Sequence, residues 1–233
     1  MNKLKELSVF FPAYNEEANL ENTVERAILV LREVAEKFEL LIINDGSKDN
    51  TGKVAEKLAK KYVFIKVITH NPNQGYGAAL RSGFYNSQYK WIVFTDSDGQ
   101  FDFSEVDRLI EKSAGADMVV GYRINRQDSL VRKIFGWGWT LLANLLLGLK
   151  VKDIDCAFKL TKKEVIDKIS KLQSSRGGMI SPELVGKARK AGFKIAEVGV
   201  HHYPRKEGKQ TGANLKVIFK SFVDLGKLWW QIK

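Results

Sequence analysis

From residue 7 onward, short apolar runs alternate with longer stretches of helical period. Residues 7–11 read as a strand. Between 16 and 37, Leu20, Val24, Ala27, Ile28, Leu31, Val34 and Ala35 fall near one face, the mark of an amphipathic helix. Residues 40–43 form a buried strand, Asp49 or Asn50 caps a helix through Lys61, and 64–68 is a third strand. A helix over 77–87, a strand over 91–95, a helix capped by Ser104 and ending near Ser113, and a strand over 117–121 continue the alternation. This regularity predicts an α/β fold: a mainly parallel sheet flanked by helices on both faces. Ligands of such sheets bind at the carboxyl ends of the strands. The polar segments 12–17, 44–51 and 96–100 each follow a strand directly, so they are expected to line one crevice.

From residue 123 the pattern changes. Over 130–149, Ile134, Leu141, Leu142, Leu145, Leu146 and Leu149 make a broad apolar arc, with Arg132, Lys133, Thr140 and Asn144 on the narrower remainder. Residues 155–160 read as a strand, Thr161 as the cap of a helix over 162–170, 182–191 as a helix ended by Gly192, and 194–198 as a strand. Residues 201–212 form a polar loop. Over 213–232, Lys216, Lys220, Asp224, Lys227 and Gln231 share one narrow sector, while Leu215, Ile218, Phe219, Phe222, Leu225, Trp229 and Trp230 cover the opposite side. That pattern suits a helix lying in a membrane interface and equally a terminal helix docked on its own core. The expected organisation is one domain over 1–212, containing an amphipathic membrane-facing segment at 129–149, followed by a C-terminal amphipathic helix over 213–233.

A chain of 233 residues, 44% apolar, can bury a full core. Its one cysteine, Cys156, excludes an internal disulfide, fits a reducing compartment and reads as a packing residue. The N-terminal apolar run is too short for a signal peptide, and no stretch reaches the ~20 apolar residues that span a bilayer. The net charge of +11 is concentrated: residues 123–152 carry six basic side chains against one acidic, and residues 201–233 seven against two. Such clustering points to an anionic partner. The aromatic residues of 213–232 lie opposite its lysines, which suits a bilayer better than stacked bases, so nucleic acid is not expected.

The sharpest chemical signal is Asp96-Ser97-Asp98 with Gln100, directly after a buried strand. Two carboxylates there, beside an amide carbonyl, make a hard-ligand site for Mg²⁺ or Mn²⁺. By itself the same tripeptide is equally an acidic turn before a helix. His70, His201 and His202 have no partner at zinc spacing and read as loop residues.

Taken in order, Pro12-Ala13-Tyr14-Asn15-Glu16, Asn44-Asp45-Gly46-Ser47, Asn73-x-Gly75, Asp96-Ser97-Asp98 with Gln100, Gly121-Tyr122-Arg123 and Arg205-x-x-Gly208 resemble family 2 glycosyltransferases of the GT-A fold. The likeness is greatest to the dolichol-phosphate mannose synthase branch, which moves a sugar from a nucleotide onto a polyprenyl phosphate. It covers about residues 7–212. It implies that Pro12, Tyr14, Glu16, Ile43, Asp45, Asp96 and Ser97 line the nucleotide-sugar pocket. It also implies that Asp96, Asp98 and Gln100 hold the metal on the donor diphosphate, with Asp98 among the catalytic residues. Arg123, Arg132 and Arg205 resemble the arginines that hold the acceptor phosphate; guanidinium groups bind phosphate through paired hydrogen bonds. Arg126, Lys206 and Lys209 read as solvated charges.

The implied reaction is an inverting, metal-dependent transfer from a GDP- or UDP-linked sugar to a polyprenyl phosphate, by a peripheral enzyme on the cytoplasmic face of a membrane, with room for a separate anchoring subunit. A phosphate monoester is largely dianionic near neutral pH and needs no general base. The alternative, a sugar or lipid hydroxyl acceptor, requires one, and Asp153, Asp155 and Glu183 are the candidates. Two departures from the branch's Thr-Ser-Gly-Phe-Arg segment, Asp155 for Thr and Lys159 for Arg, bear on acceptor identity more than on reaction class. A basic binding module without catalysis is the remote third reading.

Overall fold

The structure is a computed structural model that describes residues 3–126, 130–174, 177–205 and 215–232. Strands β1 (Leu4–Ala13), β2 (Ala35–Asn44), β3 (Ile65–Thr69), β4 (Trp91–Phe94), β5 (Met118–Ile124), β6 (Lys159–Lys162) and β7 (Ile195–His201) form one sheet, in the order β3-β2-β1-β4-β6-β5-β7. β6 is antiparallel to both of its neighbours, and every other pair is parallel. The remaining six strands therefore deliver their carboxyl ends to one edge of the sheet. The helices are α1 (Leu20–Val34), α2 (Thr51–Lys61), α3 (Tyr76–Asn86), α4 (Val106–Lys112), α5 (Leu130–Leu147), α6 (Lys163–Lys168), α7 (Ile180–Lys190) and α8 (Leu215–Ile232).

Strand alternation sends side chains to two cores. Val9, Phe11 and Ile42 pack with α1, α2 and α4, whereas Phe10, Leu41, Ile43 and Phe94 pack with α3, α6, α7 and Leu225 and Leu228 of α8. The mainly parallel, two-faced sheet is the expected one.

Three local expectations are corrected. Residues 35–37 leave the first helix and join β2, because Leu4 and Glu6 pair with Ala35 and Lys37 in a ladder longer than the apolar run suggested. Asp102, not Ser104, supplies the side-chain cap after β4, accepting from the Ser104 N–H. The strand expected over 155–160 begins only at Lys159, and Thr161 lies inside it. The third of these exchanges apolar sequence for a loop held from within: the Lys159 Nζ, fully buried, donates to the Ile154 carbonyl (3.2 Å), the Cys156 carbonyl and Ser181 Oγ (3.1 Å).

On α5, Thr140 and Asn144 face inward, whereas Lys133 is exposed. Thr140 is buried and its Oγ1 accepts from the Ile154 N–H, while the Asn144 side chain both donates to and accepts from the Val151 backbone. Leu130, Val131, Ile134, Phe135, Trp137, Leu141 and Leu145 are exposed, Leu145 to 72%. Contiguous apolar exposure on this scale marks an interaction surface. Among the described residues, no helix is long and apolar enough to cross a membrane.

Candidate active site

The crevice is built where β1, β2 and β4 end side by side. Ser97 Oγ donates to the Pro12 carbonyl (2.8 Å), tying the β4 exit to the β1 exit, and Asp45 N donates to the Ala13 carbonyl (2.9 Å). Asn44 Oδ1 accepts from the Ser47 N–H. Both oxygens of Asp45 are engaged: Oδ1 with His70 Nδ1 (2.7 Å) and the Gln74 N–H, Oδ2 with Asn73 Nδ2 and the Gly75 N–H. Asp45 thus holds the loop after β3 against the crevice, and a base contact would need one of these bonds to open. Gly46 and Gly75 sit at φ +66° and +97°, and a Cβ on Gly46 would fall 2.5 Å from the Asn73 nitrogen. His70 is therefore not a mere loop residue; its other nitrogen lies 2.8 Å from Ser82 Oγ. Ile43 is fully buried in the core beside α3, so its side chain does not line the pocket. Tyr14 is half-buried at the rim.

Asp96 and Asp98 come together. Burial, and then the neighbouring Asp98 charge, push the Asp96 carboxyl up to about 7. Burial also raises Asp98, which the Gln100 N–H and Arg205 partly offset. Tyr76, unnoticed in the sequence, donates its hydroxyl to Asp96 Oδ1 (2.9 Å). Arg205 stands against two carboxylates, with one nitrogen 3.4 Å from Asp98 Oδ2 and another on Glu16 Oε1. Gln100 is buried; its side-chain amide donates to the Tyr203 carbonyl. Among the described residues, no three His, Cys, Asp or Glu cluster as a metal-ligand set. Two carboxylates crowded together at low dielectric nevertheless fit a hard cation of the kind bound by one or two carboxylates plus substrate phosphates.

This crowding has a pH signature. Asp96 has a folded pKa of about 7 against an ordinary 3.8. Its contribution to stability is therefore full below the lower value and is lost as pH rises through the upper one. In chelator, wild type is expected to lose thermal stability relative to Asp96→Asn as pH climbs from about 4 to 7, with a constant difference above about 8. Melting midpoints of both proteins across that range test it; a difference independent of pH contradicts it.

The expected arginine clamp is only partly assembled. Arg205 stands beside Asp98, as described, and Arg132 lies half-buried on α5. Arg123, at the end of β5, has two nitrogens committed to the Asp153 carboxylate at 2.6 and 2.8 Å. Arg126 packs against Gly136 of α5, whereas Lys206, Lys209 and Gly208 lie outside the described residues. Of the three carboxylates named as possible bases, Asp153 is held low by Arg123 against the effect of burial. Glu183, likewise opposed by burial, is held low by Lys187 and by the Gln173 and Ser174 N–H groups. Asp155 differs: burial pushes its carboxyl up to about 6. Cys156 is buried, its thiol pushed up to about 12 by that burial, in keeping with a packing role.

The sheet order, with paired carboxylates at its carboxyl edge, is that of the GT-A fold. The chain belongs to glycosyl transferase family 2, which matches residues 8–170. The dolichyl-phosphate beta-glucosyltransferase of Homo sapiens is 31% identical over 96% of this chain and 73% of its own length. Dolichyl-phosphate beta-glucosyltransferase ALG5D of Trichomonas vaginalis is 30% identical, covering 83% of this chain and 64% of the relative. The undecaprenyl-phosphate 4-deoxy-4-formamido-L-arabinose transferase of Proteus mirabilis is 29% identical, covering 93% and 65%. The chain thus spans just under two thirds of the length of the last two. These relatives stand in the polyprenyl-phosphate branch, as the motifs implied, although the sugars in their names are not mannose. Among solved structures, glucosyl-3-phosphoglycerate synthase from Mycobacterium tuberculosis in complex with UDP superposes with a TM-score of 0.71 at 17% identity, over 97% of this chain and 80% of that one. The same enzyme in complex with Mn²⁺, UDP-glucose and phosphoglyceric acid gives 0.69 at 18% identity, over 98% and 79%. At such identity the likeness establishes the fold.

Proposed function

We propose that this chain transfers a sugar from a nucleotide diphosphate donor to a polyprenyl phosphate at a membrane surface, with inversion. The observation that carries the reading is the Asp96–Asp98 pair at the carboxyl edge of the sheet with Arg205 against it. A divalent ion held by Asp96 and Asp98, with Gln100 adjacent, would offset the charge that builds on the departing nucleoside diphosphate. Tyr76 holds Asp96 through its hydroxyl, and Glu16 gives Arg205 a second carboxylate, which keeps the guanidinium beside Asp98. From there it can pair with an acceptor phosphate, whose ionised oxygen attacks the anomeric carbon on the face opposite the leaving group. UDP is favoured over GDP by the UDP complexes of the structurally similar synthase.

A hydroxyl acceptor is less well supported, because two of its three candidate bases, Asp153 and Glu183, are tied into ion pairs, which leaves only Asp155. The outward apolar face of α5 supports docking to a bilayer. Replacing Trp137 and Leu141 together by glutamate is expected to abolish flotation with anionic liposomes while leaving the melting midpoint unchanged; undiminished flotation removes α5 from the contact, and binding to single-stranded DNA in place of liposomes at matched salt overturns it. Arg205→Ala is expected to raise the acceptor KM ~10-fold or more and to leave nucleotide binding within about twofold; unaltered acceptor kinetics contradict the clamp. The decisive experiment is a panel of UDP- and GDP-sugars with polyprenyl phosphate, scored for lipid-linked sugar with and without chelator. Transfer confined to hydroxyl acceptors, or undiminished by chelator, defeats the proposal.

A further inference from the structure

We propose that Asp155, Trp139 and Gly178 form the subsite for the donor's sugar ring, with Asp155 reading its hydroxyls. The inference rests on the transferase reading above and names a part of that site which the nucleotide, the metal and the acceptor phosphate leave unused.

Three separate parts of the chain meet there. Trp139 comes from α5, Asp155 from the loop before β6, and Gly178 from the turn Gly177–Met179 that precedes α7. The Trp139 indole N–H donates to Asp155 Oδ1 at 3.2 Å. No other described residue donates to that carboxylate, so Oδ2 has no protein partner among the described residues. Asp155 is half-buried, and a carboxylate that holds one neutral donor keeps acceptor capacity open to a ligand's donors. A Cβ on Gly178 would fall 3.3 Å from Asp155 Oδ1, tighter than ordinary contact, so the glycine keeps that side of the carboxylate clear.

The position is right for a sugar. Lys159, four residues after Asp155, pairs with Phe94 at the carboxyl end of β4, to which β6 is antiparallel, so the loop carrying Asp155 runs past the strand end from which Asp96 and Asp98 follow. In a nucleotide sugar the ring is bonded directly to the terminal phosphate and must lie next to that point. A carboxylate accepts from two neighbouring hydroxyls at once, and an indole offers a flat apolar surface to the ring's C–H bonds. Lys159 is the positioning residue. Its bonds to the carbonyls of Ile154 and Cys156 clamp the backbone on both sides of Asp155, and its buried position sets a cation near the carboxylate. The departures at 155 and 159 thereby become parts of one device.

The test is calorimetric binding of UDP and UDP-glucose, and of GDP and GDP-mannose, in the presence of Mn²⁺, to wild type, Asp155→Asn, Trp139→Phe and Gly178→Ala. Asp155→Asn preserves shape and is expected to hold nucleoside diphosphate affinity within about twofold while weakening the cognate nucleotide sugar ~10-fold or more. Gly178→Ala is expected to act in the same direction. Equal affinity for the nucleotide sugar in wild type and all three variants overturns the subsite, as does a parallel loss for sugar and bare nucleotide. If Asp155→Asn binds the nucleotide sugar normally but has lost kcat, Asp155 is a general base; the subsite then falls while the transferase stands. If wild type binds none of the four nucleotides, the transferase reading falls and the subsite with it.

Discussion

Asp98→Ala is expected to lower sugar transfer by about 10³-fold or more while the protein stays folded. Loss of a ligand that stabilises charge on the leaving group removes several kcal/mol from the transition state, and each ~1.4 kcal/mol is tenfold in rate. The fold has little to lose. The Asp98 carboxyl is raised by burial, which shows that its charge is held at a cost, and its partner Arg205 keeps Glu16. Single-turnover transfer, Mn²⁺ titration and the melting midpoint should be measured on the same preparation. Lost transfer together with unchanged Mn²⁺ affinity would show that Asp98 is no ligand, and full turnover would remove the metal from the reaction altogether.

Arg123→Ala is expected to cost about 3–5 kcal/mol of stability, the usual penalty for leaving one member of a buried ion pair alone. The two side chains are only 11% and 12% exposed and meet through two parallel hydrogen bonds. The Asp153 carboxyl, which burial would raise, is held below its ordinary value by Arg123. That contribution is present above the unfolded value of 3.8 and is lost as pH falls through the lower folded value, so the variant should converge on wild type in acid. Urea unfolding of Arg123→Ala, Asp153→Ala and the double variant isolates the coupling, and a coupling below about 0.5 kcal/mol would mean that the pair is only a surface contact.

Much of this was legible in the one-dimensional pattern because the signals involved are local. A buried parallel strand needs an apolar run whatever its neighbours are, so β1, β2 and β4 could be read directly, as could the polar turns that follow them. The pairing of Asp96 with Asp98 follows from their spacing. Tyr76 escaped notice because nothing near it in the chain indicates that its hydroxyl reaches a carboxylate twenty residues away. Asp45 was legible as an important residue but not as one whose four hydrogen bonds organise residues 70–75. Ile43 was placed beside the pocket by the family resemblance, and strand alternation turns its side chain into the core.

The amino-acid order alone determined the alternating architecture, the carboxylate pair at a strand end and the presence of an amphipathic segment over 129–149, of which Leu130–Leu147 is helix, because each depends on periodicity or spacing within one segment. Tertiary structure decided which face of that helix turns outward, which arginine meets which carboxylate, and that Trp139, Asp155 and Gly178 share a corner. Those outcomes depend on how desolvation and charge are balanced between segments far apart in the chain, and no local pattern encodes that balance.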